Sequence, residues 1–147
     1  MTDTPAPSKP AGLFRRLGAL FYDWLLIVAL WFVLTAFLLP LTGGEAVPEQ
    51  GPWHWAYQGV LVLVALGFYL VFWRKGGQTL GMRAWRVRLV DAQGGTPSLN
   101  AMLRRALWAV PSWGLLGLGV LWMYFDPGRR ALQDRMSGTR LIVDKIR

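Results

Sequence analysis

The sequence predicts an all-α membrane protein: two transmembrane helices, a third broken or re-entrant apolar segment, and a small cytoplasmic strand pair. Three observations lead there. The 147 residues are 54% hydrophobic and hold three long apolar runs, which a soluble domain of this length rarely carries. The sixteen Lys and Arg all flank those runs, and none falls between Pro40 and Trp73. That is the pattern of charge that sets membrane topology. Finally, two short stretches with matching pattern, ending in RLVD and RLIVD, alternate with a period of two rather than a helical one.

In chain order, residues 1–13 are rich in Pro, Ala, Ser and Thr and read as a disordered cytoplasmic tail. Residues 14–147 read as one membrane domain. The first span is placed at 17–39 and ends at Pro40 and Thr42-Gly43-Gly44. A cleaved signal peptide is disfavoured, because the apolar run far exceeds the usual length of about 7–15 residues and no A-x-A site follows. The loop 41–52 holds Glu45 and Glu49 and no Lys or Arg, so it is assigned to the outside. The second span is placed at 53–73. Trp53, Trp55 and Tyr57 crowd its outer end, and Tyr69, Phe72 and Trp73 its inner end, as two aromatic belts.

The connector from Arg74 to Arg105 sets seven basic residues against the single acid Asp91, which assigns it to the cytoplasm. Within it, Trp85 to Val90 reads as a strand, Ala92-Gln93-Gly94-Gly95 as a turn, and Ser98 as the cap of a helix starting near Leu99. The third apolar run, 106–125, is just long enough to cross but contains Pro111, Gly114, Gly117 and Gly119. The tail after it carries six basic residues. Three full crossings would put that tail outside, away from the strand it matches. A run that dips in and returns, broken near Pro111 to Gly114, puts it inside. Both readings stay open, with the re-entrant one preferred.

The net charge of +8 does not suggest nucleic acid, because the basic residues are spread as topology signals rather than gathered on a binding face. The bilayer, including anionic lipid at the arginine-rich segments, is the expected partner. Without Cys there are no disulfides or thiolate metal sites. The only His, His54, sits at the external edge with no triad around it. No catalytic residues, metal or cofactor are expected, so the chain is not read as an enzyme.

Asp23 stands out inside the first span, seven residues after Arg16 and so on nearly the same helix face. A carboxylate at that depth costs about 2.5–3.5 kcal/mol on insertion scales. Three readings remain for it: an ion pair with Arg16, Arg104 or Arg105; a titrating or cation-binding group; or a site for a partner protein or lipid headgroup. The Gly76-Gly77-Gln78-Thr79-Leu80-Gly81 segment lacks the ending of a phosphate loop and reads as a sharp exit from span two, with Gln78 and Thr79 capping backbone groups. Asp134-Arg135 with Gly138-Thr139 reads as a polar latch holding the tail to the cytoplasmic layer, against the alternative of a solvated tail.

Three blocks, FRRLGALFYD from Phe14, GGQTLGMRAWRVRLVDAQGGTPS from Gly76 and RALQDRMSGTRLIV from Arg130, together resemble the RDD family of prokaryotic membrane proteins. The resemblance runs from Arg15 to Val143. It implies Arg16 as the family arginine, Asp23 as the first aspartate and Asp134 as the second. Many members have His-Asp-Arg where this chain has Gln133-Asp134-Arg135, which removes a titratable neighbour. The resemblance further implies an inner-membrane, transport-related role, including monovalent cation/proton exchange suggested for some members. Few spans make a poor lone transporter, so a homo-oligomer or a larger membrane complex is expected. The alternative is a non-transporting accessory or assembly subunit.

Overall fold

The computed structural model describes residues 8–44 and 50–144. Residues 1–7, the loop acids Glu45 and Glu49, and the terminal Lys145 and Arg147 lie outside the described residues. Two long helices dominate. The first, α1, covers Leu13–Leu38 and continues as a 3-10 turn, Leu39–Thr42. The second, α2, covers Pro52–Gly76. At 1.5 Å per residue each exceeds the roughly 30 Å of a hydrocarbon core, and both are apolar enough to cross. α1 starts four residues before the expected span, because Phe14 to Arg16 extend the helix into the surface layer.

After α2 the chain turns at Gly77 and forms a short helix, α3 (Leu80–Ala84), then a strand, β1 (Val87–Val90). α4 (Leu99–Gly114) follows, with Ser98 accepting from the Ala101 N–H at its start (3.3 Å) as its sequence position suggests. α5 (Leu118–Leu121) runs into a 3-10 turn at Trp122–Tyr124. A short α6 (Leu132–Ser137) leads to β2 (Arg140–Val143). The strands pair antiparallel, Val87 opposite Val143 and Val90 opposite Arg140, so the two matching sequence stretches do meet.

The third apolar run is broken: α4 and the α5 segment meet at 108°. The break is not at Pro111. The helix runs through that proline to Gly114, and the chain reverses at Leu116 (φ 54°) and Gly117 (φ 78°). Gly117 adopts this left-handed region without the penalty a Cβ brings. The returning segment then packs hard on α4, since a Cβ on Gly119 would lie 2.6 Å from the Ser112 Cα. With β2 paired to β1, the tail lies at the same end of the spans as the connector.

The core sits in this surface layer rather than between the spans. Ala11, Ala19, Trp73, Met82, Val87, Leu89, Met102 and Leu141 form one buried cluster. The spans are largely uncovered by protein, as lipid-facing helices are. Two polar contacts tie them together: Trp31 Nε1 donates to the Leu61 carbonyl (2.9 Å), and the Thr35 and Tyr57 hydroxyls are 2.6 Å apart.

The stretch read as a disordered tail through residue 13 is ordered from Lys9. Ala11 N–H donates to the Leu141 carbonyl and Val143 N–H to the Lys9 carbonyl, both at 2.8 Å. Ala11 is fully buried. Lys9 to Ala11 thus adds to the free edge of β2. Pro10 has no N–H to give, but that is tolerated at a sheet edge.

Candidate functional site

Arg16, Ala19, Asp23 and Ile27 follow a helical repeat and are the buried residues of α1. This stripe faces the surface layer at its lower end and a gap between helices above. The layer supplies two separate sets of partners, one for Arg16 and one for Asp23.

Arg16 reaches the tail. Its Nη1 donates to Asp134 Oδ2 (2.6 Å), its Nε to the Ala11 carbonyl (2.9 Å) and its Nη2 to the Arg129 carbonyl (3.3 Å). Arg105, on α4, donates to the other oxygen of Asp134 and to Thr139 Oγ1 (3.0 Å). Asp134 also accepts from the Ala131 N–H (3.1 Å), which closes the first turn of α6. Burial alone would push the Asp134 carboxyl up. The charges of Arg105 and then Arg16 outweigh it and hold the carboxyl below its ordinary value. Ser137 shares a 2.7 Å contact with Thr139, and Gly138 ends α6 in the left-handed conformation. Arg105 also stacks over the Trp73 ring at 5.6 Å, a cation–π contact in a buried setting.

Asp23 reaches the connector instead. The Thr79 hydroxyl donates to its Oδ2 (2.5 Å) and the Gly81 N–H to its Oδ1 (2.9 Å). Thr79 in turn accepts from the Met82 N–H (3.1 Å) and caps α3. No Cβ fits at position 81: it would overlap the Ala19 carbonyl oxygen and lie 2.8 Å from Asp23 Oδ1. The expected ion pair of Asp23 with Arg16, Arg104 or Arg105 is therefore corrected. Arg16 and Asp23 share a face, but Arg16 lies a full turn or more closer to the tail and is consumed by Asp134. Arg104 is exposed, rotated about 100° around α4 from Arg105.

The remaining motif residues sit around these two sets. Gln78 donates to the Val87 carbonyl (2.9 Å) and to Asp144 (3.1 Å), bridging the exit of α2 to the sheet. Arg135 does not join its neighbour Asp134. It points away, 3.8 Å from Asp126. Arg130 donates to the same Asp126 (3.2 Å), and that bond holds the Asp126 carboxyl below its ordinary value. Trp73, read as a belt residue, is instead 7% exposed and part of the core. Its place at the end of an apolar run carries no signal for this, because the cluster that buries it draws on residues as distant in sequence as Ala11 and Leu141.

Above the layer, α1, α2 and α4 border a half-open cavity of about 460 Å³. Arg16, Asp23, Tyr69, Trp73, Arg105 and Gln133 line it near the layer, and Trp31, Val62, Leu66, Ala109 and Trp113 farther up. Apolar walls with a few polar groups at one end are the usual make-up of a ligand pocket, and the volume is in range. Among the described residues no cluster of three His, Cys, Asp or Glu is placed to hold a metal.

A family profile described as the RDD family matches residues 10–138, almost the whole chain. This chain belongs to the RDD family. Within its fold, the arginine and two aspartates assigned by resemblance to the RDD signature occupy the two latches: Arg16 with Asp134, and Asp23 with Thr79 and Gly81. A curated relative, "Uncharacterized protein RP437" of Rickettsia prowazekii (strain Madrid E), is 29% identical over 82 residues. The match covers 55% of this chain and 45% of the relative, so it spans about half that protein's length. No solved structure matches.

Proposed function

We propose that this RDD protein is a transport-related module of the bacterial inner membrane, working as an oligomer. It binds a small solute, or a monovalent cation exchanged for a proton, in the cavity beside Asp23. The observation that carries this reading is the placing of that carboxylate. Asp23 is the sole acid in the sequences of α1 and α2, and it lines the cavity while anchored to the connector. A ligand or proton arriving at Asp23 competes with Thr79 and Gly81, so occupancy is coupled to the position of α3. Intramembrane carboxylates commonly serve such pathways. Two spans and one bent segment wall only part of a pathway, and further copies complete it. The N-terminus, connector and C-terminus are assigned to the cytoplasm, with 41–52 outside, on the positive-inside rule. The exposed arginines of the layer face anionic lipid headgroups. The module has no catalytic role and does not bind nucleic acid.

The test is flux in liposomes under gradients of Na⁺, K⁺, protons and small neutral solutes, for the parent and Asp23→Asn. Flux that is lost in Asp23→Asn, at unchanged abundance and oligomeric state, supports transport. Absence of flux under every gradient overturns it. A second reading, an accessory or assembly subunit, draws on a different observation: both oxygens of Asp134 and both of Asp23 are already engaged by the chain itself. On that reading Asp23→Asn removes the protein from the membrane instead of silencing flux.

A further inference from the structure

We propose that the cavity between α1, α2 and α4 binds an organic cation, a quaternary ammonium carried on an apolar body. This deepens the functional reading by naming the kind of cation for the same cavity. It rests on that cavity being the working site, and not on flux.

The sign of the occupant's charge follows from Asp23. It lines the cavity, and both partners of its carboxylate, the Thr79 hydroxyl and the Gly81 N–H, are neutral. Among the described residues no Lys or Arg forms an ion pair with it. Arg16 and Arg105 also line the cavity, and with the Asp134 they share they keep one net positive charge. That charge lies at the layer end. Arg16 Nε donates to the Ala11 carbonyl, five residues back, so its guanidinium points away from Asp23. Its other bonds go to Asp134 and the Arg129 carbonyl, so an anion would have to displace partners already in place. Along α1 the order is Arg16, Asp23, Trp31, and Asp23 stands about 10 Å beyond Arg16 along the axis. A cation about 5 Å from Asp23, on the Trp31 side, is at least twice as far from Arg16, and Coulomb energy falls inversely with distance, so attraction prevails.

The wall decides the kind of cation. Trp31, Tyr69, Trp73 and Trp113 line the cavity, and Trp73 already carries Arg105 over its ring at 5.6 Å. Aromatic faces attract cations most strongly where water is excluded, and quaternary ammonium groups, which need no hydrogen bond, suit them best. A bare alkali ion suits the site poorly. It needs a shell of oxygens in place of its hydration water, and of the lining residues Asp23, Tyr69 and Gln133 are those with a side-chain oxygen. The half-open cavity lies between spans that protein leaves uncovered, which lets an apolar body enter from the bilayer.

The test uses the full chain in nanodiscs of zwitterionic lipid and a benzophenone-bearing trimethylammonium, with crosslinked peptides mapped by mass spectrometry. Labelling is expected on the α1, α2 and α4 peptides that hold Trp31, Tyr69 and Trp113. At matched bilayer concentration, phenylbutyltrimethylammonium should compete at least about tenfold better than its neutral isostere, in which carbon replaces the nitrogen, or than phenylbutanesulfonate. Asp23→Asn, which removes the charge and keeps an acceptor, should weaken that competition about tenfold, and Trp113→Leu about threefold. Equal or better competition by the isostere or the sulfonate overturns the inference. So does labelling confined to the outer faces of the spans, which marks ordinary bilayer contact, or competition unchanged in Asp23→Asn. If Asp23→Asn fails to fold, Trp113→Leu and head-group selectivity on the parent chain decide. Selective ammonium binding without flux removes the transport reading and leaves this one. Alkali-cation flux without ammonium binding does the reverse.

Discussion

Replacing Asp134 tests whether charge compensation holds the surface layer together. Asp134 has no exposed side-chain surface, and the side chains of Arg16 and Arg105 are only 5% and 6% exposed. Asp134→Asn leaves the shape and one acceptor oxygen but strands two buried guanidiniums. Removing one partner of a buried pair costs about 3–5 kcal/mol. With one acceptor retained, the low end applies, and about 3 kcal/mol is a change of roughly a hundredfold in the folded-to-unfolded ratio. Arg16→Met is milder, about 2 kcal/mol, because Asp134 keeps Arg105 and the Ala131 N–H. The triple variant Arg16→Met, Arg105→Met, Asp134→Leu removes all three charges together. It should be less destabilised than Asp134→Asn alone, since no orphaned charge stays buried. The assay is equilibrium unfolding in mixed micelles titrated with dodecyl sulfate, followed by tryptophan fluorescence. The reasoning fails if Asp134→Asn lies within about 0.5 kcal/mol of the parent, the range of ordinary surface changes, or if the triple variant is the less stable of the two.

Three further outcomes follow from the same geometry. Gly81→Ala should lose about 1–3 kcal/mol by forcing α3 off the Ala19 carbonyl and Asp23, whereas Leu80→Ala, at an exposed neighbour, should change little; matched unfolding curves compare them. The Asp134 carboxyl is held below its ordinary value of 3.8, so its contribution is complete above that pH and is lost only as pH falls through the lower folded value. The stability gap between parent and Asp134→Asn should therefore stay constant above about pH 5 and narrow only in stronger acid, as urea or detergent midpoints at stepped pH will reveal. The parent has no cysteine, so single cysteines report sidedness: Gln93→Cys and Met136→Cys should react with an impermeant maleimide from one side of sealed vesicles, and Leu41→Cys from the other. Labelling of Met136→Cys together with Leu41→Cys contradicts the placement of the tail beside the connector.

Some of this arrangement was legible in the sequence, and the limits have physical causes. The two spans follow from length and hydropathy alone, because lipid leaves few alternatives for an apolar run that long. The strand pair could be anticipated because two alternating segments each need a partner. The partner of Asp23 was not legible. Thr79 and Gly81 lie 56 and 58 positions away, and nearby arginines offered a simpler pairing by charge. Geometry favoured the hydroxyl and amide because Gly81 allows α3 closer to α1 than any side chain would. Lys9 to Ala11 departs from the expected disorder because a sheet edge needs only backbone from a segment, whatever its Pro-rich composition. At the third run, Pro111 is the conspicuous breaker in the sequence, but a reversal needs residues able to turn left-handed, and Leu116-Gly117 supply that.

These pieces bear on how such a molecule could work. The buried apolar cluster, both latches and the sheet all lie in one layer, whereas the spans hold each other through a handful of contacts such as Trp31 with Leu61 and Thr35 with Tyr57. Stability is therefore concentrated at one end, and the elements with least protein packing are the first to move. α2 joins the layer through Trp73 and the Gly77 turn, and α1 through Arg16 and Asp23. A rocking of α2 against α1 about those anchors would widen or narrow the cavity without disturbing the latches. Asp23 is the acid that both lines the cavity and is tied to the layer through α3. On the proposed reading an occupant competes at Asp23, and the first element to feel it is α3 through Thr79 and Gly81.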